Sequence, residues 1–224
     1  MSLDLARAAR GLALAAVVVA WAAAAHYTSA LVESSNWGAL LGMAPLVAIA
    51  ALFAWRSPQR GAMLALLALA AGGLALGWPR LAANVSWLYF IQHVGTNALL
   101  GVAFGRTLAA ARTPLCTGLA ALVHGELSAA LVRYTRHVTV AWTLFFALVT
   151  GSSLLLFAFA PIAVWSVFAN LLTLPLVALM FAAEYAVRVA VLPPGERSNI
   201  LDAVRAYWRS APPAAQPPAS VADR

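Results

Sequence analysis

The stretch "SWLYFIQHVGTNALLGVAFG", residues 86–105, is long enough to cross a bilayer but carries four hydrogen-bonding side chains near its middle. They are Gln92, His93, Thr96 and Asn97. At about 100° per residue these side chains fall on one face of a helix. Because a neutral histidine can accept or pass a proton, one interpretation is a polar cavity in which His93 handles protons.

Helix packing is the other interpretation of this polar face, and it is the one we favour. Gly101 and Gly105 continue the line of Asn97 and form a small-xxx-small pair, which lets a neighbouring backbone approach closely. The polar groups would then hydrogen-bond across the contact. The segment holds no carboxylate that could orient His93 as a base. Candidate partners elsewhere in the chain are His26 and Glu33.

A second set of reactive residues lies in "TPLCTGLAALVHGEL", which contains Cys116, His124 and Glu126. A Cys–His pair is typical of nucleophilic acyl transfer. Eight residues on one helix, however, separate Cys116 from His124 by about 12 Å of rise, so we predict that Cys116 is not a nucleophile. We group the polar residues of this region as a candidate cytoplasmic interface: Arg106, Arg112, His124, Glu126, Arg133, Arg136 and His137.

The composition identifies the kind of protein that positions these residues. The chain is 63% hydrophobic and only 9% charged, whereas roughly a quarter of a soluble chain is charged. Its apolar runs of about twenty residues predict transmembrane helices. The runs are continuous rather than alternating, which excludes a transmembrane barrel. The predicted fold is therefore an all-α polytopic transmembrane helix bundle of about six spans.

The predicted architecture has one bundle and two C-terminal segments. The bundle covers residues 1–192, with a cytoplasmic segment at about 106–137. In that segment we predict a short interfacial helix from Pro114 to His124, capped by Thr113 and ended by Gly125. An amphipathic surface helix is predicted at 193–210 and a disordered tail at 211–224. The predicted spans are 11–32, 37–55, 61–78, 85–105, 138–160 and 162–185.

All fourteen basic residues are arginines, and their distribution predicts the topology. With six spans, thirteen of them fall on one side and only Arg80 falls on the other. The positive-inside rule then places both termini in the cytoplasm. Arg7, Arg10 and the following "WAAAAHY" also resemble a cleaved signal peptide. Apolar character that continues to Val32 favours an uncleaved span.

The net charge of +7 is therefore interpreted as a topology signal, and we expect no nucleic-acid partner. The expected partner is a bilayer with anionic lipids. A homodimer is compatible with the sequence. The chain has one cysteine and no phosphate-loop, dinucleotide or paired metal-ligand motif, so we expect no cofactor and no metal. Glu184 and Arg188, four residues apart, predict a salt bridge near a helix end.

Four stretches of the chain together resemble an uncharacterised family of small bacterial inner-membrane proteins. The stretches are "FIQHVGTNALLGVAFGRTL", "TPLCTGLAALVHGELS", "RYTRHVTVAWTLFF" and "WSVFANLLTLPLVALMFAAEYAVR". The resemblance covers roughly residues 87–208. Genes of this family are commonly found among those for aryl-polyene pigments and related ketosynthase-dependent products. Some members carry a ketosynthase label, which we reject because that enzyme is a large soluble α/β protein.

The resemblance implies an accessory membrane component of a polyene or lipid-like acyl biosynthesis system, whose inner face would dock an acyl carrier protein or soluble biosynthetic enzymes. Two alternatives stay open at this point. The first is a transporter or flippase of a hydrophobic product, with the polar face of residues 85–105 along its path. The second is a membrane-embedded acyl-transfer enzyme that uses His93 or His124. The absence of an evident acid–base pair counts against the enzyme.

Overall fold

The computed structural model describes residues 2–30 and 36–194, and within them every regular element is a helix. The predicted fold class is confirmed: the described chain is an all-α bundle of membrane-span type. The long helices are α1 (Ser2–Ala30), α2 (Asn36–Arg56), α3 (Arg60–Ala83), α4 (Val85–Gly105) and α6 (Ala129–Phe159). The others are α5 (Leu115–His124), α7 (Ile162–Ser166) and α8 (Thr173–Val191), with a 3₁₀ turn at Arg106–Leu108 and a π-helical segment at Val167–Leu172.

Five helical stretches among the described residues are long and apolar enough to cross a membrane. They are α1 from Ala9, α2, α3, α6, and the continuous run from α7 to α8. Helix α4 has 21 residues, as α2 does, but it is not one of the five. Its four central polar side chains lower its hydropathy, so composition alone does not identify it as a span. The count of six spans stays a prediction.

The π-helical segment occupies the region where Asn170, Thr173 and Pro175 occur together. Pro175, near the start of α8, has no N–H to donate. Its ring also clashes with the backbone carbonyl four residues earlier, so the regular α-helical hydrogen bond cannot form there. The backbone widens to a π-helix just before it, and Thr173 Oγ1 donates to the carbonyl of Phe168 at 2.9 Å. π-helical turns within α-helices are rare and are often found at functional sites.

The short helix α5 forms where it was predicted, but the predicted cap is wrong. The helix begins at Leu115, and Pro114 precedes it in an extended conformation. The N–H of Leu115 donates to Thr107 Oγ1 at 3.0 Å, so the capping hydroxyl comes from the 3₁₀ turn and not from Thr113. Gly125 ends the helix with a φ of 70°, as its type predicted.

The chain divides into two compact units, and helices α4, α6 and α8 each contribute residues to both. Unit 1 comprises Met1–Ala98 and Ala147–Leu179, and unit 2 comprises Leu99–Phe146 and Met180–Arg224. The predicted surface helix at 193–210 and the tail at 211–224 lie almost wholly outside the described residues. The division of the chain into a bundle and two C-terminal segments therefore stays a prediction.

Unit 1 is held together by a close approach at the start of α2. A Cβ atom on Gly38 would lie 2.9 Å from both Thr28 Cβ and Val85 Cγ1, and one on Gly42 would lie 3.2 Å from Leu88 Cδ2. "GALLG" is therefore a small-xxx-small pair that brings α1 and α4 against α2. The buried core of the unit lies beside this contact and includes Ala25, Ala39, Val85, Tyr89 and Trp165.

Unit 2 is built on antiparallel contacts between α6 and α8. Leu131 and Tyr134 on α6 form a buried cluster with Leu192, just beyond α8. Further along both helices, Trp142 packs on Phe181 with ring centroids 4.6 Å apart. Three further aromatic rings, those of Phe104, Phe145 and Phe146, complete this cluster.

Candidate functional site

Three of the four polar side chains predicted on one face of α4 make hydrogen bonds within unit 1. Gln92 Nε2 donates to the carbonyl of Gly42 at 3.1 Å, and the buried Asn97 donates to the carbonyl of His93 at 2.8 Å. The ring of His93 contacts two other helices of the unit. Thr96, by contrast, is exposed. Three of the four predicted residues therefore make hydrogen bonds inside the fold, and Thr96 lies away from them.

His93 belongs to a chain of hydrogen bonds whose direction can be assigned. Because Thr173 Oγ1 donates to the carbonyl of Phe168, it accepts from His93 Nε2–H at 2.9 Å. The other nitrogen of a neutral ring is an acceptor, so His93 Nδ1 accepts from Ser153 Oγ–H at 3.0 Å. Ser153 Oγ in turn accepts from Trp165 Nε1–H at 2.9 Å. Every group in the chain is satisfied by a neutral His93.

A second polar cluster in unit 1 surrounds Ser166. Its hydroxyl lies 2.9 Å from His26 Nδ1 and 2.8 Å from Ser29 Oγ. Asn170 Nδ2 donates to both Ser166 Oγ and Ser29 Oγ, at 2.9 and 3.2 Å. The backbone of Ser29 also accepts from Ser86 Oγ at 2.7 Å, which ties α1 to α4. Of the two candidate partners of His93, His26 therefore joins this separate cluster, and Glu33 lies outside the described residues.

The two polar clusters flank the π-helical segment. Ser166 directly precedes it and Thr173 directly follows it, so each end is bonded to a histidine of another helix. Both bonds join side chains of different helices, and at the far end Thr173 Oγ1 also satisfies the backbone carbonyl of Phe168. The sequence analysis missed Ser29, Ser153 and Ser166. Small hydroxyl residues in apolar helices are typical of helix contacts, and that pattern could have indicated them.

The two predicted packing glycines of α4 belong to unit 2, and they differ in what the structure shows. A Cβ on Gly105 would lie 3.1 Å from Thr143 Cγ2, which indicates a close contact with α6. Gly101 is half-buried. A closer approach than that of Gly105 occurs at Gly38 in unit 1, which was not predicted from the sequence.

The predicted salt bridge between Glu184 and Arg188 is confirmed in unit 2. Arg188 Nη2 lies 2.7 Å from both carboxylate oxygens of Glu184, and Arg188 Nε donates to Oε1 at 3.0 Å. Tyr134 OH donates to the same Oε1 at 2.7 Å. Glu184 is only 8% exposed, and a buried carboxylate without a partner would be strongly destabilising. Arg188 and Tyr134 therefore compensate its negative charge.

A largely apolar groove of about 560 Å³ runs beside this salt bridge, between α6 and α8. On α6 it is lined by Ala130, Arg133, Tyr134, His137, Val138 and Ala141. On α8 it is lined by Met180, Ala183, Glu184, Val187 and Val191. Both sets recur at three- and four-residue intervals, which places each on one helical stripe. Arg133 and His137 are exposed at its edge.

The residues of α5 do not form a catalytic pair. The N–H of Cys116 donates to Thr139 Oγ1 at 3.2 Å, and burial raises the pKa of the Cys116 thiol. His124 is half-buried, and its Nε2 has no hydrogen-bond partner in the described part of the chain. Glu126 is exposed beyond Gly125. A half-buried thiol with a raised pKa is a poor nucleophile because little of it is thiolate near neutral pH.

The remaining predicted interface residues are exposed arginines. Arg106 begins the 3₁₀ turn, Arg112 lies after it, and Arg136 donates to the carbonyl of Leu108 at 3.4 Å. Within residues 2–30 and 36–194, no three His, Cys, Asp or Glu side chains are grouped closely enough to hold a metal ion. Comparisons with models of protein families, with curated proteins and with solved structures found no match to this chain.

Proposed function

We propose that this chain is an inner-membrane accessory protein of a polyene or lipid-like acyl biosynthesis system. In this proposal its arginine-rich end faces the cytoplasm and docks an acidic soluble partner, such as an acyl carrier protein. The sequence resemblance supplies the biosynthetic context. The observation that carries the docking role is that four arginines in unit 2 are exposed and form no ion pair within the described residues.

Those four arginines are exposed and can form ion pairs with a negatively charged partner. They are Arg106, Arg112, Arg133 and Arg136. None makes an ion pair within the described residues, whereas the buried Glu184 already has Arg188. An excess of exposed charge of one sign speeds the encounter with a partner of the opposite sign and is weakened by salt. The same arginines also serve membrane orientation, and that role does not compete with docking.

The alternative functions have less support. The polar groups around His93 and Ser166 bond to one another, and this arrangement favours helix packing over a path for a transported product. For an acyl-transfer enzyme, Cys116 is a poor nucleophile, and neither its thiol nor His124 Nε2 bonds to the other in the described residues.

A carrier-binding experiment tests the docking role directly. The full-length protein in nanodiscs is titrated with the acyl carrier protein of its biosynthetic system at several salt concentrations. We expect the affinity to fall as salt rises and to fall further when the four arginines are replaced by Gln together. Arg80→Gln is the control, because Arg80 is the one arginine predicted on the opposite side. Salt-independent binding, or equal binding by the fourfold variant, would refute docking through these arginines.

Deletion of the gene separates the accessory role from transport. We extract the acyl product from inner and outer membranes of the deletion strain. An accessory role predicts that the product is absent or truncated in both membranes. A full-length product stranded in the inner membrane would instead support a transporter.

A further inference from the structure

We infer that the groove between α6 and α8 is a binding site for an anionic phospholipid of the adjacent leaflet, with Arg133 and His137 holding its phosphate. The length of the two helices, the shape of the groove and the charges that line it support this site. Lipid binding in the groove is independent of carrier docking, because it needs no carrier protein.

The helix lengths place the groove at the level of the lipid headgroups. Helix α6 has 31 residues and the run Ile162–Val191 has 30, so each is about 45 Å long. The hydrocarbon core is only about 30 Å thick. The charged residues of both helices lie at the same end, because residues 138–159 and 162–183 contain none. The excess length, and with it the charged end of the groove, therefore lies beyond the hydrocarbon at that end, while Ala141 and Met180 lie in the charge-free part of the two helices.

The shape of the groove suits an acyl chain and its glycerol attachment. The lining residues on each helix span twelve residues, or about 16 Å of helix. Alanines at 130, 141 and 183 leave room that larger side chains would fill. The end near Ala141 and Met180 lies in the uncharged part of both helices and adjoins the aromatic cluster of Trp142 and Phe181, which offers apolar surface to an acyl chain. A lipid chain would enter the groove from this end.

The charges at the groove favour an anionic head over a zwitterionic one. Arg133 and His137 are four residues apart on one stripe of α6, so their side chains can reach the same phosphate. Glu184 is the one carboxylate in the lining, and it is already bonded to Arg188 and Tyr134. Its repulsion of a phosphate is therefore largely cancelled, and the free charge at the edge of the groove is positive.

The test compares two lipids with identical chains on the purified full-length protein. Dioleoyl phosphatidylglycerol and dioleoyl phosphatidylcholine are titrated separately into detergent-solubilised protein, and binding is measured by native mass spectrometry. We expect the anionic lipid to bind at least about tenfold more tightly than the zwitterionic one, which is a difference of about 1.4 kcal/mol. Equal affinities would overturn the inference.

Two pairs of variants assign the binding to the groove. Arg133→Gln should remove most of the preference for the anionic lipid, whereas Arg136→Gln, outside the groove, should keep it. Ala141→Phe fills the groove and should weaken both lipids, whereas Ala182→Phe, on an exposed face of α8, should not. Arg133 is exposed, so its replacement tests the site even if Ala141→Phe fails to fold. Unchanged binding by Arg133→Gln would overturn the inference.

A truncated chain tests the rival occupant of the groove. If residues 195–224 of the same chain filled the groove, their removal would raise the affinity of both lipids severalfold. That result would overturn the lipid assignment. Unchanged lipid binding by the truncated protein would support it.

Discussion

The imidazole Nε2 of His93 lies 2.9 Å from the hydroxyl of Thr173, the residue at which the π-helical segment ends and α8 begins. Since Thr173 donates its own proton to Phe168, the histidine must be the donor in this contact. A protonated ring would also have to donate from Nδ1, and Ser153, which already accepts from Trp165, would have to turn its proton elsewhere. The arrangement therefore favours a neutral, structural histidine.

His93→Gln should yield folded protein with partial activity. An amide can replace one of the two hydrogen bonds, and a bond between membrane helices is worth only about 0.6 kcal/mol on average and about 1.7 at most. Membrane abundance, thermal stability and product yield are measured together, with Thr96→Val, at an exposed position on the same helix, as the control. A complete loss of product at normal abundance would show instead that His93 is a functional site.

Gly38→Ala should destabilise the protein by about 1–3 kcal/mol, the range typical of overpacked cores. The new Cβ would lie 2.9 Å from Thr28 Cβ and Val85 Cγ1, neither of which is the end of a flexible chain. Gly95→Ala is the matched control, because nothing lies within 4 Å of its Cβ position. Thermal unfolding in detergent compares the two variants. Equal stabilities would mean that α1, α2 and α4 do not meet at Gly38.

Thr150→Val should stabilise the protein or leave it unchanged. The Thr150 hydroxyl is buried and has no hydrogen-bond partner in the described residues, and such a group costs about 1–3 kcal/mol. Valine keeps the shape and removes the unpaired oxygen. Ser153→Ala on the same helix is the contrasting variant, because Ser153 Oγ bonds to both His93 and Trp165. A loss of stability in Thr150→Val would reveal a partner for that hydroxyl.

The sequence predicted the helices well because hydrophobic length alone determines where a helix can cross a membrane. It also predicted contacts within one helix, such as Glu184 with Arg188 and the stop at Gly125, because their spacing is local. Contacts between different helices could not be predicted from the sequence in this way. His93 bonds residues 60 and 80 positions away, and several polar positions on each helix were equally suitable partners.

The glycine pairs show the same limit. Gly38 with Gly42 and Gly101 with Gly105 share one spacing, and only the packing of a neighbour distinguishes them. The capping of α5 by Thr107 was missed for a related reason, since the accepting hydroxyl lies eight residues before Leu115, in the 3₁₀ turn. The groove between α6 and α8 depends on which stripes face each other, so no single stretch of sequence indicates it.

Cys116 should react slowly with thiol reagents and should be dispensable. Burial raises the pKa of its thiol, so at pH 7–8 the folded protein holds less thiolate than a free cysteine would. Alkylation by a water-soluble maleimide should be slower in the folded protein than after denaturation and should accelerate as the pH rises. Cys116→Ala should retain product formation near the wild-type level. Loss of product at normal protein abundance would restore the acyl-thioester hypothesis.

The membrane topology is the prediction on which most others depend. It determines whether the exposed arginines face the cytoplasm and can therefore dock a soluble partner. Thirteen of fourteen arginines fall on one side only if α4 crosses the membrane, although its composition alone does not identify it as a span. The internal pairing of Gln92, His93 and Asn97 supports a crossing, since it covers polar groups that lipid would not accept. Reporter fusions after residues 58, 120 and 215 should therefore read as cytoplasmic.

Fusions after residues 35 and 82 should read as periplasmic. A cytoplasmic signal after residue 82 would overturn the six-span layout and place Arg80 with the other arginines. If α4 did not cross, fusions after residues 58 and 120 would lie on opposite sides. The pair of positions around α4, residues 82 and 120, is thus the decisive comparison, and the fusion after residue 58 serves as its internal control.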